Sequence, residues 1–121
     1  MANILIDGYN LIGMVKDHME QERIELIKKL NEFSNHKGHK ITVVFDGWKN
    51  GLPVETRTRF GNVTVIFSKL NEKADVVIKN ILRRRQKSWI VVSSDREIIN
   101  AAMRHNSVAI TSDEFNYKLY T

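Results

Sequence analysis

Residues 3–10 read Asn3-Ile4-Leu5-Ile6-Asp7-Gly8-Tyr9-Asn10. An uninterrupted run of branched aliphatic side chains that stops at a carboxylate predicts a short buried strand. Gly8 permits a sharp turn directly after it. Two more runs end in the same way, Val43-Val44-Phe45-Asp46 and Val91-Val92-Ser93-Ser94-Asp95. With residues 63–67 and 107–110, which are also rich in β-branched side chains, strands are expected at 3–6, 41–45, 63–67, 89–92 and 107–110.

Between these runs the hydrophobic period changes from strand to helix. Ile24, Ile27, Leu30 and Phe33 recur at helical spacing between Glu20 and Phe33, with Asp17 and Glu20 placed as a capping box. A second helix should open at Asn71 with Ala74, Val77, Ile78, Ile81 and Leu82 inward. Ser94 with Glu97 should bracket the start of a third that buries Ile98, Ala102 and Met103, and a last helix should begin near Ser112. Strands alternating with helices give an α/β fold, a mainly parallel sheet with right-handed crossovers and helices on both faces. Residues 47–62 break the pattern. They hold Gly47, Gly51, Gly61 and the only proline, Pro53, and the alternation from Val54 to Phe60 suits an edge strand or hairpin arm before Gly61-Asn62.

The 121 residues suffice for one compact core and are too few for two ordinary domains, so 1–121 is read as a single domain. No stretch approaches the roughly 20 apolar residues of a membrane span. The first residues carry no basic segment and meet Asp7 after three apolar side chains, so no secretory signal is expected and a cytoplasmic location is. With no cysteine, thiolate metal sites and cysteine nucleophiles are excluded. A formal charge of +5 favours a polyanionic partner, because Lys and Arg that neutralise phosphates release condensed counterions.

In an open parallel sheet the carboxyl ends of neighbouring strands border one crevice. Asp7, Asp46 and Asp95 would therefore converge there, joined by Asp75 in the first turns of its helix, with Glu72 one turn before it. Converging carboxylates repel unless a cation sits among them, and an all-oxygen donor set suits Mg²⁺ or Mn²⁺. Asp7, Asp46 and Asp95 are the preferred metal ligands. Each Asp also has an ordinary role open to it: turn residue for Asp7 and Asp46, dipole partner for Asp75, helix start for Asp95. Asn10 would hold a carboxylate or a metal-bound water, or else support the turn, while Ser93 and Ser94 would assist from behind. An acidic pocket needs basic groups at its rim to admit a polyanion. Lys49, Arg57, Arg59 and Arg96 are the candidates, with Trp48 and Tyr9 available to stack on bases or pack in the core. Arg83-Arg84-Arg85 with Lys87 ends a helix and reads as a solvated face, and His18, His36, His39 and His105 as structural or surface residues.

In order along the chain, Ile4-Leu5-Ile6-Asp7-Gly8-Tyr9-Asn10, Val44-Phe45-Asp46, Lys73-Ala74-Asp75 with Ile78, and Val92-Ser93-Ser94-Asp95-Arg96-Glu97-Ile98 resemble the motifs of NYN domains of the PIN-like nuclease superfamily, with the bacterial YacP-type branch as the nearest likeness. The resemblance implies a PIN-like three-layer sandwich with strand order 3-2-1-4-5. It also implies divalent-metal-dependent endoribonuclease activity on RNA, with Asp7, Asp46, Asp75 and Asp95 as the acidic site and Asn10 beside them. A PIN-like module that holds RNA or a ribosomal surface without cutting it is the competing reading. A phosphatase with Asp7 as nucleophile fits less well, since the second Asp such enzymes place two residues later is Tyr9 here. The sequence does not choose between monomer and homodimer.

Overall fold

A computed structural model describes residues 2–13, 19–47 and 51–121. Strand β1 (Asn3–Asp7) passes directly into the short helix α1 (Gly8–Ile12), and α2 (Met19–Lys37) leads back to β2 (Lys40–Phe45). A hairpin follows, β3 (Thr56–Phe60) and β4 (Val63–Phe67), then α3 (Ala74–Arg83), β5 (Ile90–Val92), α4 (Arg96–Arg104), β6 (Val108–Ile110) and α5 (Ser112–Leu119). The sheet order is β3-β4-β2-β1-β5-β6. All pairings are parallel except β3 with β4. The parallel strands thus stand in the order implied by the resemblance, and the irregular segment adds an antiparallel edge strand beyond them. Phe60 pairs with Val63, so Gly61 and Asn62 form a two-residue turn, with Gly61 at φ +60.

Strand alternation sorts the core into two layers. Ile4, Ile6, Val43, Phe45, Val65 and Val92 face α1, α2 and α5, where they meet Leu11, Leu26, Leu30 and Phe115. Leu5, Val44, Ile66 and Val91 face α3 and α4, where they meet Val77, Ile78, Leu82, Ile98 and Ala102. Residues from both faces are needed to fill both layers, which is why the strand sequences run apolar without a polar alternation. Burial of each such Leu, Ile or Val contributes about 1.5–3 kcal/mol.

Several local expectations are corrected. Gly8 opens α1 rather than a turn: a Cβ there would overlap the Phe45 ring, so close approach is what demands glycine. Asn71 has φ +65, a left-handed conformation incompatible with a helix N-cap, and α3 starts only at Ala74. Glu72 lies in the preceding turn, its N–H on the Lys69 carbonyl, and does not share the Asp75 face of the helix. Asp95, not Ser94, caps α4, because its carboxylate accepts from the Glu97 N–H at 2.8 Å. Ile24 is 47% exposed and Met103 70%, so neither belongs to the core. Asp17 lies outside the described residues.

Candidate active site

The sheet order places β2, β1 and β5 side by side. Asp7 ends β1, Asp46 follows β2 and Asp95 starts the turn into α4, so the three reach one edge of the sheet. Asp75, in the first turn of α3, reaches it from the side. All four line a single cleft of about 1020 Å³, together with Glu97, Lys73 and Arg23 and an apolar wall that includes Met19, Leu52 and Val54.

Ser93 organises the middle of this site. Wholly buried after β5, its Oγ donates to Asp7 Oδ2 at 3.1 Å and accepts the Asp95 N–H at 3.0 Å. One hydroxyl thereby ties the ends of β1 and β5 together. Burial pushes the Asp7 carboxyl up from 3.8 to about 6, with the negative charges of Asp95 and Asp75 adding to the rise while Ser93 and the Asn10 backbone pull it back. Asp75 is held by Lys79, whose Nζ lies 3.5 Å from Oδ2 and also donates to Glu97 Oε2 at 2.9 Å. Hydrogen bonding to Glu97, then the nearby negative charges, raises the Lys79 pKa and keeps it cationic. Asp75 Oδ1 is buried with no hydrogen-bond partner among the described residues.

These features fit a hard divalent cation. The donors are carboxylate oxygens, the central carboxyl is raised by burial and by the neighbouring negative charges, and one buried oxygen lacks a partner among the described residues. Among the described residues no three His, Asp or Glu side chains are grouped closely enough to enclose an ion by themselves. Mg²⁺ does not require that, since it commonly keeps several waters and takes one or two carboxylates along with substrate phosphate oxygens.

The other sequence candidates fall elsewhere. Asn10 Oδ1 accepts from the Ser94 N–H at 2.8 Å and from Ser112 Oγ at 2.6 Å, so this oxygen supports the loops instead of facing a ligand. Ser94 Oγ in turn accepts from the Ser112 N–H. Arg57 and Arg59 lie exposed on β3, with Arg57 Nε 3.4 Å from Glu55, and Arg96 is exposed at the start of α4; none of the three lines the cleft. Trp48, Lys49 and His18 lie outside the described residues. Arg85 donates to the Arg104 carbonyl and to His105 Nδ1, tying the far ends of α3 and α4 together. His39 Nδ1 accepts from the Ala2 N–H. Sequence reasoning missed Lys79 and Arg23. The i, i+4 spacing of Asp75 and Lys79 was a usable signal for the first. Nothing local marked the second, whose partner lies 14 residues away.

Residues 4–121 match the profile described as "YacP-like NYN domain", and the chain belongs to that family. It is 38% identical over 89 residues to the protein named "Uncharacterized protein YacP" of Bacillus subtilis (strain 168), a match covering 67% of this chain and 51% of that one. The chain spans about half the length of this curated relative. Among solved structures it is similar to Rae1 (YacP) from Bacillus subtilis, with a TM-score of 0.79 at 27% identity, covering 99% of this chain and 74% of that chain. A single-residue mutant of the same protein superposes equally well and is covered to 76%. Among the described residues, no helix is long and apolar enough to cross a membrane.

Proposed function

We propose that this chain is a divalent-metal-dependent endoribonuclease that hydrolyses RNA phosphodiester bonds in the acidic cleft. The observation that carries the reading is the coupling of Asp7 to Asp95 and Asp75. A largely buried carboxyl, bonded through Ser93 to the turn that carries Asp95, lines one cleft with three further Asp side chains, and burial, with the charges of Asp95 and Asp75 adding to it, raises it to about 6. Perturbed carboxyls in clefts cluster at functional sites.

Asp7 and Asp95 would hold Mg²⁺ or Mn²⁺, with Asp46 on the same rim. Held there, the ion would supply Lewis acidity toward an attacking water and compensation of the charge on the phosphate. Ser93 fixes the Asp7 carboxylate, and Lys79 fixes Asp75 while removing part of the surplus negative charge. Lys73 and Arg23, within the cleft, offset its repulsion of the RNA backbone. Cleavage would leave a 5′-phosphate.

The test is incubation of single-stranded RNA with the protein in Mg²⁺, in Mn²⁺ and in excess chelator, beside Asp46→Asn. Cleavage that needs the metal and falls by orders of magnitude in Asp46→Asn supports the reading. Full activity in chelator overturns it. RNA binding with no cleavage in either metal would favour the non-cutting module instead.

A further inference from the structure

Arg23 is the one guanidinium among the described residues that line the acidic cleft. It projects from α2, donates from Nη1 to Tyr9 Oη at 2.9 Å, and sits with Cζ 5.5 Å from the centre of the Phe67 ring. The rings beneath it form a continuous layer. Tyr9 packs on Phe45 at 5.2 Å and Phe45 stacks on Phe67 at 5.4 Å. Arg23 is thus held at two points, and among the described residues it makes no ion pair with a carboxylate.

Donor accounting leaves this pair ready for an anion. A guanidinium carries five N–H donors, and Tyr9 takes one. Because the Tyr9 oxygen already accepts from Arg23, its own O–H is left to donate, and among the described residues no acceptor receives it. Both side chains line the same cleft as Asp7, Asp46, Asp75 and Asp95. A free anion would be repelled by those carboxylates. A polyanion strand is different, since one of its phosphates can meet cation-loaded carboxylates while a neighbouring one meets the guanidinium. The planar fork of Arg matches two phosphate oxygens, and a phenolic O–H adds a third donor. Anchoring on Phe67 and Tyr9 also removes much of the rotamer entropy that a free Arg would lose on binding.

The geometry points to Arg23 and Tyr9 as a clamp for a backbone phosphate next to the one that is cleaved. This rests on the RNA reading of the cleft given above, and it assigns the strand's register to residues outside the acidic set.

The experiment measures binding of a fluorescein-labelled hexauridylate by anisotropy across a KCl series, with Ca²⁺ replacing Mg²⁺ under conditions where gels show the oligonucleotide intact. Arg23→Met keeps an unbranched chain over Phe67 and removes the charge. Its affinity should fall on the order of tenfold, and the slope of log K against log salt should flatten by about 0.7, the single-strand value for one phosphate. Arg23→Lys should restore the slope without restoring all the affinity. Tyr9→Phe keeps the ring on Phe45 and should weaken binding a few-fold with the slope unchanged. A parental affinity and slope in Arg23→Met overturn the clamp and leave the RNA reading standing. Parent protein that binds with no salt dependence removes the RNA reading, and the clamp with it. If Arg23→Met fails to fold, the affinities of the two conservative variants decide: weaker binding by both Arg23→Lys and Tyr9→Phe at the parental slope supports the clamp, and parental affinity in either overturns it.

Discussion

Replacing Asp7 by Asn should stabilise the metal-free protein at neutral pH and leave its stability unchanged in acid. In the fold the Asp7 carboxyl titrates at about 6, against 3.8 for an unperturbed Asp. At about 1.36 kcal/mol per pH unit that gap corresponds to about 3 kcal/mol, and the solvent reaching the exposed part of the side chain reduces it to about 2 kcal/mol. A carboxyl with a raised folded-state pKa holds its proton more tightly folded than unfolded. The stability carried by that proton is complete below pH 3.8 and is lost as pH rises through about 6. Asn carries no charge to lose, and its carbonyl can still accept from Ser93 Oγ. The two proteins should therefore coincide below about pH 4, diverge up to about pH 6, and stay separated by about 2 kcal/mol above it, a difference on the order of 8 °C in Tm for a chain of this size. Urea denaturation in chelator, repeated along the pH series, gives the difference directly. Curves that run parallel from acid to neutral would refute the claim that the fold penalises ionised Asp7, and a variant that is less stable at neutral pH would make Asp7 a structural residue. With Mg²⁺ the gap should narrow or reverse, since only the parent gains appreciably from the ion, about 2.7 kcal/mol at a hundredfold excess over Kd.

Ser93→Ala removes the hydroxyl that favours ionised Asp7, so the Asp7 carboxyl should titrate above its parental value of about 6, read from its carboxyl carbon by NMR; a downward or absent shift would refute the bridging role. Lys79→Met leaves Asp75 and Glu97 without their shared cation and should cost up to about 1 kcal/mol in chelator, a loss that Mg²⁺ restores. An equal loss with and without Mg²⁺ would reduce Lys79 to a tie between α3 and α4.

The parallel pairing of the sheet and its two covered faces were legible because the strands are apolar on both sides and separated by helical periods, whereas the strand order was implied by the family resemblance alone. The edge strand β3 was legible as an alternation before Gly61-Asn62. Helix boundaries were less so, since Asn71 has a capping side chain but a backbone that points the chain another way. Ile24 was misjudged because the buried stripe of α2 runs through Leu26, Leu30 and Ser34, and a residue two places before Leu26 lies about 200° around the helix. In the site, the strand-terminal Asp residues announced themselves through the motif that precedes each one. Asp95 was harder, because capping and ligation are not exclusive roles for a side chain with two oxygens. The basic residues were read from the irregular segment 47–62 and from the neighbour of Asp95, yet Arg23 enters from α2 and is aimed by a phenol and a ring, contacts that only the folded chain creates.

The position of β1 in the middle of the sheet also has a temporal side. Its two neighbours are β2 and β5, and the hydroxyl that fixes Asp7 belongs to a residue 86 positions later. On a ribosome adding about 5–20 residues per second, those positions take about 4–17 s to make. Through that interval β1 can pair with β2 while its other edge stays open. Asp7 meets Asp95 only when β5 closes it, so a nascent chain carries the first carboxylate long before it can assemble the cleft.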